Sequence, residues 1–521
     1  MLATCKEQKD SYSNVNFNNS EKALYQEAHR PQYHFTPPAK WMNDPNGMVY
    51  YEGEYHLFYQ YYPDSTVWGP MHWGHAVSKD LVHWEHLPIA LYPDSLGYIF
   101  SGSAVVDWEN TSGFGSQENP PLVAIFTYHD PVGAEKERND FQTQAIAYSL
   151  DQGRTWEKYK QNPVLPNPGI RDFRDPKVFW YAPSEKWVMI FAAGNKVKLY
   201  TSPDLIKWEF ASDFGEAWGN HEGVWECPDL FALPAIGTKE EKWVMLVSIG
   251  SGGPNGGSAT QYFVGDFDGK NFILDEAFQK EISNDSQKTK WLDYGRDNYA
   301  GVTWSNIPAK DGRRIFIGWM SNWDYATRVP TDTWRSAMTL ARSLKLKAQK
   351  DSYRLTSFPV MEMKQLRGEA FSIKEQSLSD TIAIELPFSA AQMELEISFD
   401  ISKESLEKVG LELYNEKGDK VVLYLDKTQQ NLVLDRWQSG ITAFQESFAQ
   451  PQSAPYTKAK KTMHWHLWLD VSSLELFVDQ GELVMTSVFF PHSPLDKRRL
   501  FAIGKSEILQ AQAFPMKSIW D

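Results

Sequence analysis

Short apolar runs of strand length recur along the first two thirds of the chain, and they recur in a fixed order. Each unit offers a first strand, a turn, a strongly apolar second strand and a third strand. The first copy runs from Asn43-Asp44-Pro45-Asn46-Gly47 through Glu54-Tyr55-His56-Leu57-Phe58-Tyr59-Gln60 to Trp73-Gly74-His75-Ala76-Val77-Ser78. The others open at Ser101-Gly102-Ser103-Ala104-Val105, Arg174-Asp175-Pro176-Lys177-Val178, Glu226-Cys227-Pro228-Asp229-Leu230 and Tyr299-Ala300-Gly301-Val302. Copies end alike too. Ser78-Lys79-Asp80 leads to Trp84, Ser149-Leu150-Asp151 to Trp156, Ser202-Pro203-Asp204 to Trp208, and Gly265-Asp266-Phe267-Asp268 to Phe272. An aspartate can turn the chain by accepting backbone N–H groups, while the aromatic that follows packs between neighbouring sheets. Five units of about 50 to 70 residues, each of several short strands, predict a five-bladed β-propeller rather than a multi-strand sandwich.

Beyond Ala341 the pattern changes. Leu344 to Arg367 mixes Lys, Gln and Pro and reads as a linker. Alternating runs follow, among them Leu395-Glu396-Ile397-Ser398-Phe399, Val421-Val422-Leu423-Tyr424-Leu425 and Leu474-Glu475-Leu476-Phe477-Val478, the period-2 signature of an antiparallel β-sandwich. The predicted organisation is all-β: a polar N-terminal tether over 1–30, the propeller over 31–343, the linker over 344–367 and the sandwich over 368–521.

Composition narrows the function. A net charge of -15, with no basic stripe, argues against nucleic acid as partner. No apolar run nears the roughly 20 residues of a membrane helix. Cys5 and Cys227 are the only cysteines, so neither a disulfide framework nor a Cys-based zinc site can be built within one chain. Aromatic residues make up 14% of the chain, with 21 Trp. That suits a sheet core and also stacking against sugar rings. At the start, Leu2-Ala3-Thr4-Cys5 resembles the end of a bacterial lipoprotein signal, in which the cysteine is lipidated. The apolar segment that should precede it is missing, and a chance tetrapeptide is the equal alternative.

In a propeller the first strands of all blades line the central axis, so residues distant in sequence meet there. Those strands bring Asp44, Asp175 and Glu226 to one pocket, each in a similar setting: Asp44-Pro45, Asp175-Pro176 and Glu226-Cys227-Pro228. Proline removes a backbone donor and holds the residue before it extended. Paired carboxylates are the common machinery of glycoside hydrolysis, one as nucleophile and one as acid/base.

Four motifs in this order, Trp41-Met42-Asn43-Asp44-Pro45-Asn46-Gly47, Phe100-Ser101-Gly102-Ser103, Phe173-Arg174-Asp175-Pro176 and Trp225-Glu226-Cys227-Pro228, strongly resemble glycoside hydrolase family 32. The family contains invertases, inulinases and levanases. The resemblance covers nearly the whole chain from about His34, sandwich included, and implies a hydrolase of β-fructosidic bonds with fructan or a fructose-containing oligosaccharide as substrate. By position it implies Asp44 as nucleophile on the anomeric C2, Glu226 as general acid and then base, and Arg174 and Asp175 as ligands of fructose hydroxyls. Asn43, Gln60, Trp68, Phe100, Ser101 and Trp323 would shape the first sugar subsite. Retention of configuration follows, and no metal or cofactor is required. A polymer substrate fits an extracytoplasmic, lipid-anchored enzyme, which favours levan, then inulin, over the sucrose of an invertase. Loops rimming the propeller face decide exo or endo attack and the number of subsites. A fructan-binding protein that has lost catalysis would keep the fold, but all three carboxylates are present.

Two departures stand out. Asn298 replaces a common aromatic, which places a change at the expected rim of the pocket, and Ala341-Arg342-Ser343 replaces the usual Pro-Arg-Glu. Three signals carry less. His72, His75, His83 and His86 should point in different directions. Glycine-rich Ser251 to Gly257 reads as a hairpin connection, and Cys227 as a small buried filler.

Overall fold

Each predicted repeat closes into an antiparallel sheet because its second strand is apolar on both faces and must be covered by a neighbour on each side. A computed structural model describes residues 24–388, 391–457 and 460–520. Five antiparallel strand groups are the blades of the propeller, the fourth and fifth joined where Ala235 and Ile236 pair in parallel with Leu346 and Lys347. Blade 1 has Lys40–Tyr51, Glu54–Tyr62, His72–Ser78 and Glu85–Leu91; blade 2 has Tyr98–Val106, Leu122–His129, Gln142–Ser149 and Glu157–Lys158. Blade 3 comprises Phe173–Tyr181, Lys186–Ala193, Val197–Ser202 and Glu209–Phe214, and blade 4 comprises Trp225–Ile236, Glu241–Ile249, Ala259–Phe267 and Phe272–Leu274. The five inner strands adjoin in a closed ring, the last being Tyr299–Thr303 of blade 5. The aspartate turns form as expected: Asp80 Oδ1 accepts the Val82 and His83 N–H groups at 3.0 and 2.8 Å, and Asp204 Oδ1 accepts those of Ile206 and Lys207 at 3.0 and 2.7 Å.

The stretch expected to be a linker is mostly propeller. Arg342–Gln349 and Ser352–Pro359 form a hairpin whose first strand pairs with Arg314–Met320, completing blade 5. Leu344 and Leu346 are buried while Lys345 is exposed. Alternation with lysine made a one-sided strand read as polar linker. A short 3-10 turn over Met361–Leu366 then leads into the sandwich.

The expected tether over 1–30 divides. Residues 1–23, with Cys5, lie outside the described residues. Residues 24–30 are folded: Tyr25 stacks on Trp520 with ring centroids 3.9 Å apart, and Arg30, fully buried, donates to Glu27 at 2.6 Å and Thr36 at 3.0 Å. Trp520 is remote in sequence, so local polarity gave no sign of that packing.

The sandwich pairs two sheets over a core that includes Leu395, Leu411, Leu423, Leu467 and Leu476. Its strand Ser473–Val478 is buried on both faces: Leu474 and Leu476 enter that core, while Phe477 joins the propeller cluster of Trp41, Trp319 and Met338.

Candidate active site

Each of the five inner strands breaks register with its neighbour at the same level of the axis. The shifts fall between Met42 and Pro45, Ile99 and Gly102, Arg174 and Lys177, Glu226 and Asp229, and Tyr299 and Val302. A β-bulge bends the strand and re-aims its side chains, and a proline in a bulge forfeits no ladder bond. Asp175 and Cys227 are held at φ 66° and 45°, a region costly to non-glycine residues and met at functional sites. The bulges bring Asp44, Asp175 and Glu226 together: the Cys227 thiol meets both aspartates and Arg174 meets Asp175 and Glu226, beside a small cavity lined by Asn46, Ser101, Asp175 and Val302.

The donors around the acids differ. Asp44 accepts Asn43 Nδ2 at 3.0 Å and Ser101 Oγ at 2.8 Å, and Asn43 is itself fixed by Trp41 Nε1 at 2.7 Å. Glu226 Oε1 accepts Arg174 Nη2 and Nε at 2.9 and 3.2 Å, while Tyr299 donates to Oε2. Asp172 steadies the guanidinium from the other side at 2.5 Å. Asp175 accepts the Cys227 N–H at 3.1 Å, and its own N–H donates to Thr127 Oγ1 at 3.1 Å. Burial, then the negative charge of Glu226, pushes Asp44 up to about 6. Burial also raises Asp175, against the opposing pull of Arg174.

Two aromatic clusters adjoin the residues that hold Asp44, one through Trp41 and Asn43 and one through Phe100 and Ser101. Trp323 stacks on Trp41 at 6.0 Å and tilts against Trp319 at 4.9 Å. Trp68, 40% exposed, meets Phe100 edge-on at 6.0 Å, and Phe100 stacks on His129 at 4.3 Å. Gln60 lies opposite the Asn43–Asp44 bulge, between Tyr59 and Tyr61, with its buried Nε2 unpartnered among the described residues. Trp319 Nε1 and Asn46 Oδ1 are likewise unpartnered. Buried polar atoms without a partner call for one.

Sequence reasoning missed three participants. Tyr299 opens the fifth repeat, as Glu226 opens the fourth, so the shared register was a usable signal. Asp172 had none. Cys227 is buried, as a filler would be, yet its thiol lies 3.6 Å from both Asp44 Oδ2 and Asp175 Oδ2. Asn298 is a correction. It is buried away from the rim, donating to Asp293 Oδ2 at 3.1 Å, because Asp293 sits in the polar layer beneath the sandwich. The histidines do diverge: His75 bonds His56 at 3.1 Å in the core, His83 bonds Asp80 at the surface, and His72 bonds the Pro70 carbonyl.

Residues 34–359 match the family model for the glycosyl hydrolases family 32 N-terminal domain, and 362–515 match that for the C-terminal domain. The chain belongs to glycoside hydrolase family 32. It is a hydrolase of β-fructosides, built as a propeller followed by a sandwich. The levanase of Bacillus subtilis (strain 168) is 47% identical over 505 residues, covering 96% of this chain and 72% of the levanase. The extracellular exo-inulinase of Aspergillus awamori is 37% identical over 532 residues, covering 95% and 96%. Among solved structures, exo-inulinase from Aspergillus awamori superimposes with a TM-score of 0.86 at 36% identity, covering 95% of this chain and 100% of that one. A β-fructofuranosidase from Schwanniomyces occidentalis, complexed with fructosyl-erythritol, gives 0.80 at 30% identity, with 95% and 99% covered. In this family 32 hydrolase Asp44, Asp175 and Glu226 lie on the inner strands of blades 1, 3 and 4.

Proposed function

We propose that the enzyme is a retaining fructan hydrolase, levan its preferred polymer, working outside the cytoplasm. The convergence of three carboxylates with unequal donor sets carries the reading. Asp44, braced by neutral donors on the floor of the cleft, attacks C2 of a fructosyl unit. Glu226 protonates the departing oxygen and then activates water. Arg174 and Asp175 take fructose hydroxyls; as Arg174 turns to the sugar it releases Glu226 Oε1 to face the glycosidic oxygen. Asn43, Gln60, Trp68, Phe100, Ser101 and Trp323 frame the fructosyl ring, with the free Gln60 amide supplying a hydrogen bond. The levanase at 47% identity, against 37% for the exo-inulinase, supports levan, and that inulinase is named extracellular.

The deciding experiment is the time course of product sizes from levan, inulin and sucrose. Levan is expected to turn over fastest, with the β-anomer of fructose appearing first by NMR. Early release of fructose alone identifies exo attack, and an early oligosaccharide ladder identifies endo attack. Sucrose outrunning both polymers would make the enzyme an invertase, and initial α-fructose would overturn retention.

A nucleophile must be ionised, so activity falls as pH drops through the value that Asp44 holds. With Asp44 at about 6, kcat/KM on sucrose is expected to decline about tenfold per pH unit below that point. A flat profile down to pH 4.5, with the protein still folded, would contradict the assignment.

A further inference from the structure

One segment of the sandwich reaches the loop that carries Trp323. Its residues Gln445 to Ser453 lie against two propeller loops, the Ser321–Arg328 stretch that carries Trp323 and the glycine-rich Ser251–Ser258 connection between the second and third strands of blade 4. On the first loop, Gln445 Oε1 accepts Arg328 Nη1 at 2.6 Å, and Ser447 Oγ approaches Asp324 Oδ2 at 3.4 Å. Phe448, fully buried, sets its ring edge-on to Tyr325 at 5.0 Å. On the second, the Asn255 amide donates to the Ser453 carbonyl at 2.9 Å and accepts the Ser453 N–H at 2.8 Å.

Arg296 ties these together. Nearly buried, it donates to the Ser447 carbonyl and to Asp324, while its backbone N–H donates to Gln452 Oε1 at 2.9 Å. The two loops also interlock. Asn322 donates to the Arg296 carbonyl at 2.7 Å and to the Ser258 carbonyl at 3.2 Å, and the Trp323 N–H donates to Ser258 Oγ at 3.2 Å. Gly257, at φ 69°, passes so close that a Cβ there would stand 2.3 Å from Asn322 Oδ1. The Asn322, Trp323 and Asp324 contacts that hold this loop against its neighbour therefore lie at, or one contact from, the sandwich segment.

We propose that Gln445–Ser453 of the sandwich sets the position of Trp323 and so the affinity of the fructosyl pocket, with Arg296 and Asn255 as positioning residues that do not touch the substrate. The proposal rests on Trp323 lining that pocket. A wall that binds ground state and transition state alike acts on KM rather than kcat. In the full-length enzyme, Arg296→Met and Asn255→Ala are expected to raise KM for sucrose at least fivefold with kcat within twofold and the acid limb of the pH profile unmoved. Assays run 15 °C below the melting midpoint of each variant, and Arg296→Lys is expected to recover part of the loss. Lower melting midpoints with unchanged KM in both variants would reduce the segment to domain glue and overturn the proposal. Trp323→Ala separates the two layers. An unchanged KM there retires the pocket reading itself, whereas a raised KM with silent Arg296 and Asn255 variants defeats the positioning role alone.

Discussion

Asp44→Asn and Glu226→Gln are each expected to lower kcat on sucrose by about four orders of magnitude, the range for the members of a two-carboxylate mechanism. The two losses differ in what restores them. An aryl fructoside leaves without needing a proton, so Glu226→Gln forms its covalent intermediate from that substrate at near-normal rate, and azide then releases it. Asp44→Asn gains nothing from either. Rescue of the Asp44 variant by the better leaving group, or near-normal sucrose turnover by either variant, would sink the assignment. Stability supplies a control. A carboxyl moved from 3.8 to about 6 is penalised in its charged form by about 3 kcal/mol. Its folded value is raised, so the protonated form is the one that favours the fold, and that support is lost as pH rises through about 6. Asp44→Asn removes the charge and is expected to melt a few degrees higher at pH 7.5 than the parent, with the gap closing near pH 4. A structural aspartate would give the opposite sign.

Why those two residues were legible in the sequence, and others were not, follows from where their partners lie. Asp44, Asp175 and Glu226 were found because the propeller repeats itself. A shared register makes three weak Asp-Pro or Glu-Cys-Pro signals into one, and the bulge that aims each acid recurs in all five inner strands. Gln60, Ser101 and Arg174 came with the motifs around them. What the pattern hid was any residue whose role depends on another repeat or another domain. Asp172 looks like a loop acid until Arg174 of the same strand end is seen to need a second anchor. Leu344 to Lys347 alternates leucine with lysine, and only pairing with the neighbouring strand Arg314–Met320 reveals part of a blade there. Arg30 reads as tether and Asn298 as pocket rim because the burial that seats them, Arg30 on Glu27 and Thr36 and Asn298 on Asp293, is created only by the fold. Patterning reports which face is apolar; it does not report which polar face will be covered.

The covered polar layer between propeller and sandwich predicts the largest stability effect in the molecule. Arg342 is fully buried and donates to Glu475 Oε2 at 3.0 Å through Nε and at 2.5 Å through Nη2, to Asp293 Oδ2 at 3.1 Å and to Thr486 Oγ1 at 2.7 Å. Glu475 also accepts His34 Nε2 at 3.0 Å, and His34 Nδ1 meets Asp470 at 2.8 Å. A ring with a carboxylate at each nitrogen donates from both, so His34 is held as imidazolium, lifted to about 9 by those carboxylates against the opposing cost of burial. Arg342→Leu takes the guanidinium from both carboxylates, leaving buried Glu475 half-compensated by His34 and Asp293 with neutral donors such as Asn298 and Thr486, and breaking such a buried pair costs about 3 to 5 kcal/mol. The expected result is a lower denaturation midpoint, with propeller and sandwich unfolding in separate steps where the parent shows one. Pairing the change with Glu475→Leu removes a stranded charge and is expected to recover part of the loss. The sign for His34 is set by its raised folded value: its contribution is complete below pH 6.5 and disappears as pH rises through about 9. Unfolding of the parent is therefore expected to become easier between those limits, and His34→Gln to flatten that slope. An Arg342→Leu enzyme that unfolds with the parent midpoint would show that water, not protein, already neutralises this layer.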